Sequence, residues 1–396
     1  MAVEIVEPRM RGFICTTAHP AGCAEHVGHQ VAIARRDPAT WTGGKLLVVG
    51  ASTGYGLASR VVGTFGHGMD SVGVFFERPA SGRRTASAGW YNAAAFHRLA
   101  HEAGLRTGSL NGDAFSTPVL QETVQKVADE LGPLDVFVYS LASPVRVDPD
   151  TGETYRSVLK TIGQPITAKT VDIGSGEVTE VTIDAATEAE IAATVAVMGG
   201  ADLARWVNAL LEARLFAPGA RVVAYSYIGP KIIWPMYTSG TIGRAKAHLE
   251  ATCRELNPKM AAAVGGSCRV TICKSIVSQA GAAIPVVPLY MSLIFRIMKE
   301  AGIHEGPVEQ MLRLFGDHIG QGCTATLDEE GRIRLDNLEL QPDVQAELMA
   351  RWPRVTTENL NQLADFAGFR RYFYQLFGFE FPGVDYNVPV ETEVLL

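Results

Sequence analysis

The apolar run Lys45 to Val49 is followed by Gly50-Ala-Ser-Thr-Gly54-Tyr-Gly56 and then by the helical stretch Leu57 to Val62. Strand, glycine-rich turn and helix make a βα unit, and a chain that opens one is steered towards laying its next strand parallel to the first. The spacing GxxxGxG adds a second constraint. Glycine lets the backbone turn sharply and bring its N–H groups against a pyrophosphate, while the helix starting there adds partial positive charge. Close packing of a helix on a strand also selects glycine. The flanking strand and helix are what turn the motif into a nucleotide cradle.

The alternation continues. The spacing predicts a second strand over 71–77, a helix over 93–103, a third strand and its end over 107–114, a helix over 119–131 and a fourth strand over 134–142. Residues 145–186 break the rhythm with turn signals such as Asp-Pro-Asp-Thr-Gly-Glu and short alternating runs, which read as an inserted hairpin region. The pattern resumes with a helix over 188–215, a strand over 221–228, a helix over 240–256 and a strand over 269–273; beyond Pro285 the chain is mainly helical apart from 332–335. We therefore expect an α/β fold, a doubly wound parallel sheet of the Rossmann type, in one elaborated domain over 1–396 with extra C-terminal helices.

Composition narrows the function classes. With 47% hydrophobic and 19% charged residues the chain is neither disordered nor fibrous, and its net charge of −7 supplies no electrostatic reason for a nucleic-acid or anionic-membrane partner. Six cysteines, at 15, 23, 253, 268, 273 and 323, show no CxxC or Cys/His cluster, so no metal site is expected and a reducing compartment fits. Cys268 and Cys273 read as small core residues. Charges and Pro8 interrupt any signal-peptide stretch, and no window reaches the roughly 18 apolar residues of a membrane span. A cytoplasmic protein without membrane insertion is expected. The most apolar segment, 282–295, carries Pro285 and Pro288 and is closed by Arg296, as suits a buried or pocket-covering helix.

Four further positions bear on chemistry. Glu77 ends the second strand, where this architecture offers an acid to the adenosine ribose hydroxyls and repels a 2′-phosphate; an exposed strand-end acid is the alternative, and Arg78, Arg83 and Arg84 stand nearby. Tyr237 and Lys246 follow the fifth strand nine positions apart, on opposite faces of any continuous helix. A turn and N-cap at Thr238, Ser239 and Gly240 would let both face one crevice, where the ammonium would lower the phenol pKa and also hold ribose hydroxyls. Ordinary packing and solvation explain either residue equally well. Tyr227 offers a second phenol at the carboxyl edge of the sheet.

GxxxGxG, a strand-end acid and a downstream Tyr/Lys pair resemble the short-chain dehydrogenase/reductase superfamily. The Tyr-x8-Lys spacing, Gly-Ala-Ser-Thr-Gly-Tyr-Gly, Tyr-Ser-Tyr-Ile-Gly and Ser-Gln-Ala-Gly-Ala-Ala-Ile-Pro are similar to the trans-2-enoyl-CoA and enoyl-acyl-carrier-protein reductases of the FabV type, over essentially the whole chain, including Met-Arg-Gly-Phe-Ile-Cys at 10–15. The resemblance implies NADH-dependent reduction of the 2,3-trans double bond of an enoyl-CoA or enoyl-acyl-carrier-protein thioester in fatty acid synthesis. It implies Tyr237 as proton donor, Lys246 as the catalytic and cofactor-binding lysine and Tyr227 as the thioester-contacting tyrosine. For NADH it implies Gly50, Ala51, Ser52, Thr53, Gly54 and Tyr55 at the pyrophosphate, Phe76 and Glu77 at the adenosine ribose, and Asp113 and Ala114 at the adenine. Leu141 and Ala142 would stand behind the nicotinamide, with Ile276, Val277 and Ser278 by its carboxamide. Residues 282–320 match substrate-covering helices; the stripe Leu289, Leu293, Ile297 there lines an acyl channel or packs on the core. A monomer is compatible with a chain so enlarged. Two other readings use the same residues, a carbonyl reductase of the short-chain dehydrogenase type and a non-catalytic NAD-binding module.

Overall fold

In the computed structural model, which describes residues 3–11, 14–36 and 43–396, seven parallel strands form the central sheet. Met1, Ala2, Gly12 and Phe13 of the N-terminal stretch considered above lie outside the described residues. The first four sheet strands are β1 (Lys45–Val49), β2 (Asp70–Phe75), β3 (Thr107–Asn111) and β4 (Leu134–Tyr139). Two antiparallel hairpins follow, β5 (Val145–Val147) with β6 (Thr154–Arg156) and β7 (Ile166–Val171) with β8 (Val178–Ile183), in the region expected to be inserted. The sheet is completed by β9 (Phe216–Ser226), β10 (Ser267–Ile272) and β11 (Ile333–Arg334), in the order β11-β10-β9-β4-β1-β2-β3. The chain thus runs outward from β1 to β3 and returns to β4 on the other side of β1. That reversal opens a crevice at the carboxyl ends of β1 and β4, the usual ligand position of a doubly wound sheet.

The strands are apolar on both faces because both faces are covered. Val48, Val136, Val138 and Val223 point to one side, against α1 (Pro20–Ala34), α2 (Gly54–Val61), α3 (Ala88–Glu102) and the later helix at Pro307–Arg313. Leu47, Val72, Phe137 and Val222 point to the other, against α4 (Thr117–Glu130), α6 (Ala201–Glu212) and α7 (Thr241–Val264). Cys268 and Cys273 are buried on opposite faces, as their odd separation requires.

The stretch expected as one helix over 188–215 is two, α5 (Glu188–Met198) and α6, broken at Gly199–Gly200. A Cβ at Gly200 would stand 2.2 Å from Thr252 Oγ1, and the Gly200 N–H donates to His248 Nδ1 at 2.9 Å, so the break lets the chain press against α7. Helix α7 runs beyond 256 to Val264 and stops at Gly265 in the left-handed conformation. The sequence reading had no counterpart for α1, whose signals are His19 as N-cap and Pro20 at the first position.

A third core lies off the sheet. It gathers α8 (Gln279–Ala282), α9 (Val287–Glu300), α11 (Pro342–Arg351), α12 (Leu360–Leu363) and α13 (Phe366–Gln375) around Leu289, Leu293, Phe369 and Phe373, with the rings of Tyr227 and Tyr237 packed against it. Leu289, Leu293 and Ile297 are all buried in this core. Within 282–320, only α9 belongs here; α10 (Pro307–Arg313) packs on α2 in the sheet-side core. No helix among the described residues is long and apolar enough to cross a membrane.

Candidate active site

Six strand ends assemble the crevice. Gly50 follows β1 with φ +90°, and a Cβ there would lie 2.1 Å from the Ser140 carbonyl oxygen; a Cβ on Gly56 would lie 1.9 Å from that of Gly50. Side chains are therefore excluded from the turn, and its backbone is left facing the crevice between β1 and β4. Ala51 and Ser52 are buried, Thr53 is exposed just before α2 begins, and Ile276 reaches within 3.9 Å of where a Gly54 Cβ would stand. The Tyr55 hydroxyl lies 2.8 Å from both the Lys274 carbonyl oxygen and Gln310 Oε1.

Beyond β2, Phe76 is 76% exposed and Glu77 is half-buried. The Ser52 hydroxyl donates to Glu77 Oε1 at 2.6 Å, while Asn111 brackets the Glu77 backbone, accepting from its N–H at 2.7 Å and donating to its carbonyl at 2.8 Å. A Cβ on Gly89 of α3 would collide with the carboxylate. Glu77 is thus a held acid beside the glycine turn, in place of a solvated strand end. After β3, Asp113 Oδ1 accepts from the Phe115 N–H at 3.0 Å, and the Ala114 carbonyl accepts from Trp206 Nε1 at 3.2 Å. Leu141 and Ala142 follow β4. Past β10 come Ile276, Val277 and Ser278, where the Ser278 hydroxyl caps α8 by accepting from the Gly281 N–H at 3.0 Å.

Tyr237 precedes α7 on the turn that the spacing requires. Its carbonyl accepts from the Gly240 N–H at 3.1 Å and the Gly243 N–H at 3.0 Å, with Gly240 as N-cap. The lowering of the Tyr237 phenol pKa by Lys246 is not found. Lys246 Nζ donates to the Tyr225 carbonyl at 3.1 Å, and burial alone pushes the Tyr237 phenol up. The Lys246 ammonium is itself pushed down by burial. A lysine entering a dry crevice turns first to the carbonyl at the end of β9, which leaves the Tyr237 hydroxyl without a hydrogen bond to any described residue. Tyr227 meets Tyr237 edge to face, with ring centroids 5.2 Å apart, and its phenol is pushed well up by burial and by Glu339.

The sequence reading missed Glu339, Tyr290 and Lys274. Glu339 is 0% exposed and accepts from the Tyr227 hydroxyl at 3.0 Å, from the Ser275 N–H at 2.8 Å and hydroxyl at 2.9 Å, and from the Tyr290 hydroxyl. Lys274 is buried beside it; its Nζ donates to the Ser275 carbonyl at 2.9 Å and stands over the Phe295 ring, and burial pushes its pKa down to about 8. The only trace in the sequence is an acid bracketed by Leu338 and Leu340.

Residues 84–319 match the family model described as the trans-2-enoyl-CoA reductase catalytic region, residues 5–82 the NAD(P)H binding domain of trans-2-enoyl-CoA reductase, and residues 327–390 an enoyl reductase FAD binding domain. An enoyl-acyl-carrier-protein reductase (NADH) of Coxiella burnetii is 53% identical over 392 residues, covering 98% of this chain and 96% of its own. Two crystal structures are similar in fold and sequence. Clostridium acetobutulicum trans-2-enoyl-CoA reductase in complex with NADH has a TM-score of 0.96 and 37% identity, over 99% of this chain and 98% of its own. The Treponema denticola trans-2-enoyl-CoA reductase in complex with NAD has a TM-score of 0.93 and 41% identity, over 99% of both chains.

Proposed function

The chain belongs to the trans-2-enoyl-CoA reductase family, and from that premise we propose that it reduces the 2,3-trans double bond of enoyl thioesters with NADH, with Tyr237 as proton donor. The observation that carries the assignment of Tyr237 is its hydroxyl, packed beside Tyr227 yet unbonded to any described residue.

The residues fit a dinucleotide because backbone packed against Gly50 and Gly56 keeps side chains out of the turn, which leaves its own backbone to face the crevice. Gly50 to Tyr55 would hold the pyrophosphate, Phe76 and Glu77 the adenosine ribose, and Asp113 and Ala114 the adenine. Leu141, Ala142 and Ile276 to Ser278 would flank the nicotinamide, and Lys246 would release the Tyr225 carbonyl for ribose hydroxyls. NADH, when bound, supplies the hydride that adds to C3. Charge then developing on the thioester oxygen calls for O–H donors, which are Tyr237 and Tyr227. Burial keeps the Tyr237 phenol protonated at neutral pH, the state a donor must be in, until the more basic enolate takes the proton.

Residues 327–390 fit no flavin. They give the edge strand β11 and helices α11 to α13, whose apolar faces close the core around α9, and they hold no strand, glycine turn and helix cradle. The thioester carrier is CoA or acyl-carrier protein, the enzyme acts in the cytoplasm, and the chain, one reductase domain, is large enough to be compatible with a monomer.

The test is NADH oxidation with crotonyl-CoA, with acetoacetyl-CoA and with neither. Turnover of crotonyl-CoA alone is expected; turnover of the ketone alone would make the protein a carbonyl reductase. Tyr237→Phe is expected to lower kcat on the order of 10²- to 10⁴-fold with NADH titrating as in the wild type, and near-wild-type kcat would remove Tyr237 from the mechanism.

A further inference from the structure

The load on Glu339 is uneven. A carboxylate offers about four lone-pair sites, two on each oxygen. Oε2 receives the Ser275 N–H, whereas Oε1 receives three hydroxyls, those of Ser275, Tyr290 and Tyr227. Oε1 therefore has one donor more than it has lone pairs. Of the three, the Tyr227 contact is the longest, at 3.0 Å. Ser275 is fixed by its own backbone N–H on the other oxygen, and Tyr290 is wholly buried in α9. Tyr227 alone is partly exposed, with its ring against Tyr237.

Resting on the reading of Tyr227 as the phenol that contacts the thioester, we propose that Glu339 is a positioning residue. It parks the Tyr227 hydroxyl hydrogen in the free enzyme and releases it to the thioester oxygen when an enoyl thioester enters. The release is a rotation about the phenol C–O bond, so no covalent bond changes. Three donors remain on the carboxylate after the turn, and the Lys274 ammonium beside the same loop balances its charge, so no buried anion is left unpaired. A carboxylate with one donor too many holds the phenol in register without holding it tightly.

Steady-state kinetics with crotonyl-CoA and NADH on Glu339→Gln, Tyr227→Phe and the double variant test this. Glu339→Gln is expected to lower kcat/KM for crotonyl-CoA roughly 3- to 30-fold without changing NADH affinity, and to cost nothing further in the Tyr227→Phe background. An equal loss in both backgrounds overturns the proposal, because a merely structural role would not depend on the Tyr227 hydroxyl. Tyr290→Phe covers the case in which Glu339→Gln fails to fold. It takes one competitor off Oε1, so Tyr227 should be held more firmly and kcat/KM should fall, again only where Tyr227 is present; wild-type kcat/KM in Tyr290→Phe also overturns it. The two readings fail differently. Wild-type kinetics in Tyr227→Phe would condemn the role of Tyr227 itself, whereas a damaged Tyr227→Phe beside an undamaged Glu339→Gln condemns Glu339 alone.

Discussion

Glu77 illustrates how much one hydrogen bond changes a strand-end acid. The Ser52 hydroxyl fixes its carboxylate next to the glycine turn, where its charge meets whatever occupies the adenosine ribose. Glu77→Gln keeps the shape and removes the charge, so the preference for NADH over NADPH should narrow about tenfold, which corresponds to about 1.4 kcal/mol. Comparing kcat/KM for the two cofactors checks this, and an unchanged ratio would transfer the preference to Arg78, Arg83 or Arg84. The glycines, Glu77 and Tyr237 could be picked out from the sequence because backbone geometry or motif spacing confines them to one place. Glu339 could not. Its partners Tyr227, Ser275 and Tyr290 lie 112, 64 and 49 positions away, a separation that no local pattern encodes.

At the scale of elements, the βα units were legible because strands buried on both faces are nearly continuous apolar runs, and β1 was expected with its observed bounds. Helix limits were less so. The break between α5 and α6 depends on Thr252 and His248 of a helix not yet folded when 188–215 is read alone, and α1 carries its signals in a cap and not in strong periodicity. The joint between β1 and α2 is where an element is least tolerant. Gly56→Ala would set a methyl 1.9 Å from the Gly50 carbonyl oxygen, and backbone has nowhere to retreat. Chemical denaturation should show a loss of roughly 2–4 kcal/mol, together with weakened NADH binding. A variant of wild-type stability would mean that the helix can shift away from the strand.

The whole molecule carries a store of neutral imidazoles. Burial, aided by Arg60 and Lys126 at His97 and by Lys274 and Lys299 at His304, holds both pKa values down at about 3; burial holds His26 at about 4. Unfolded histidine takes a proton near pH 6.5, so below that pH the unfolded chain binds protons that the folded one refuses. Stability should be complete above about pH 6.5 and fall as the pH drops, by up to about 2 kcal/mol for each of the three at pH 5. Urea midpoints at neutral and mildly acidic pH measure it, and equal midpoints would mean that these rings are solvated.

Tyr55 extends the reach of the cofactor cradle. Its hydroxyl joins the glycine turn to the Lys274 carbonyl and to Gln310 of α10, so three regions distant in sequence share one fastening. A ligand that quiets the turn must then also quiet what is fastened to it. NADH should slow amide hydrogen exchange not only in α2 and along 276–278, which it would flank, but also at Lys274 and Ser275 and in α10, which it need not touch, and Tyr55→Phe should remove the slowing at those remote places. Exchange measured with and without NADH would follow the strain of binding from the first third of the chain into its last.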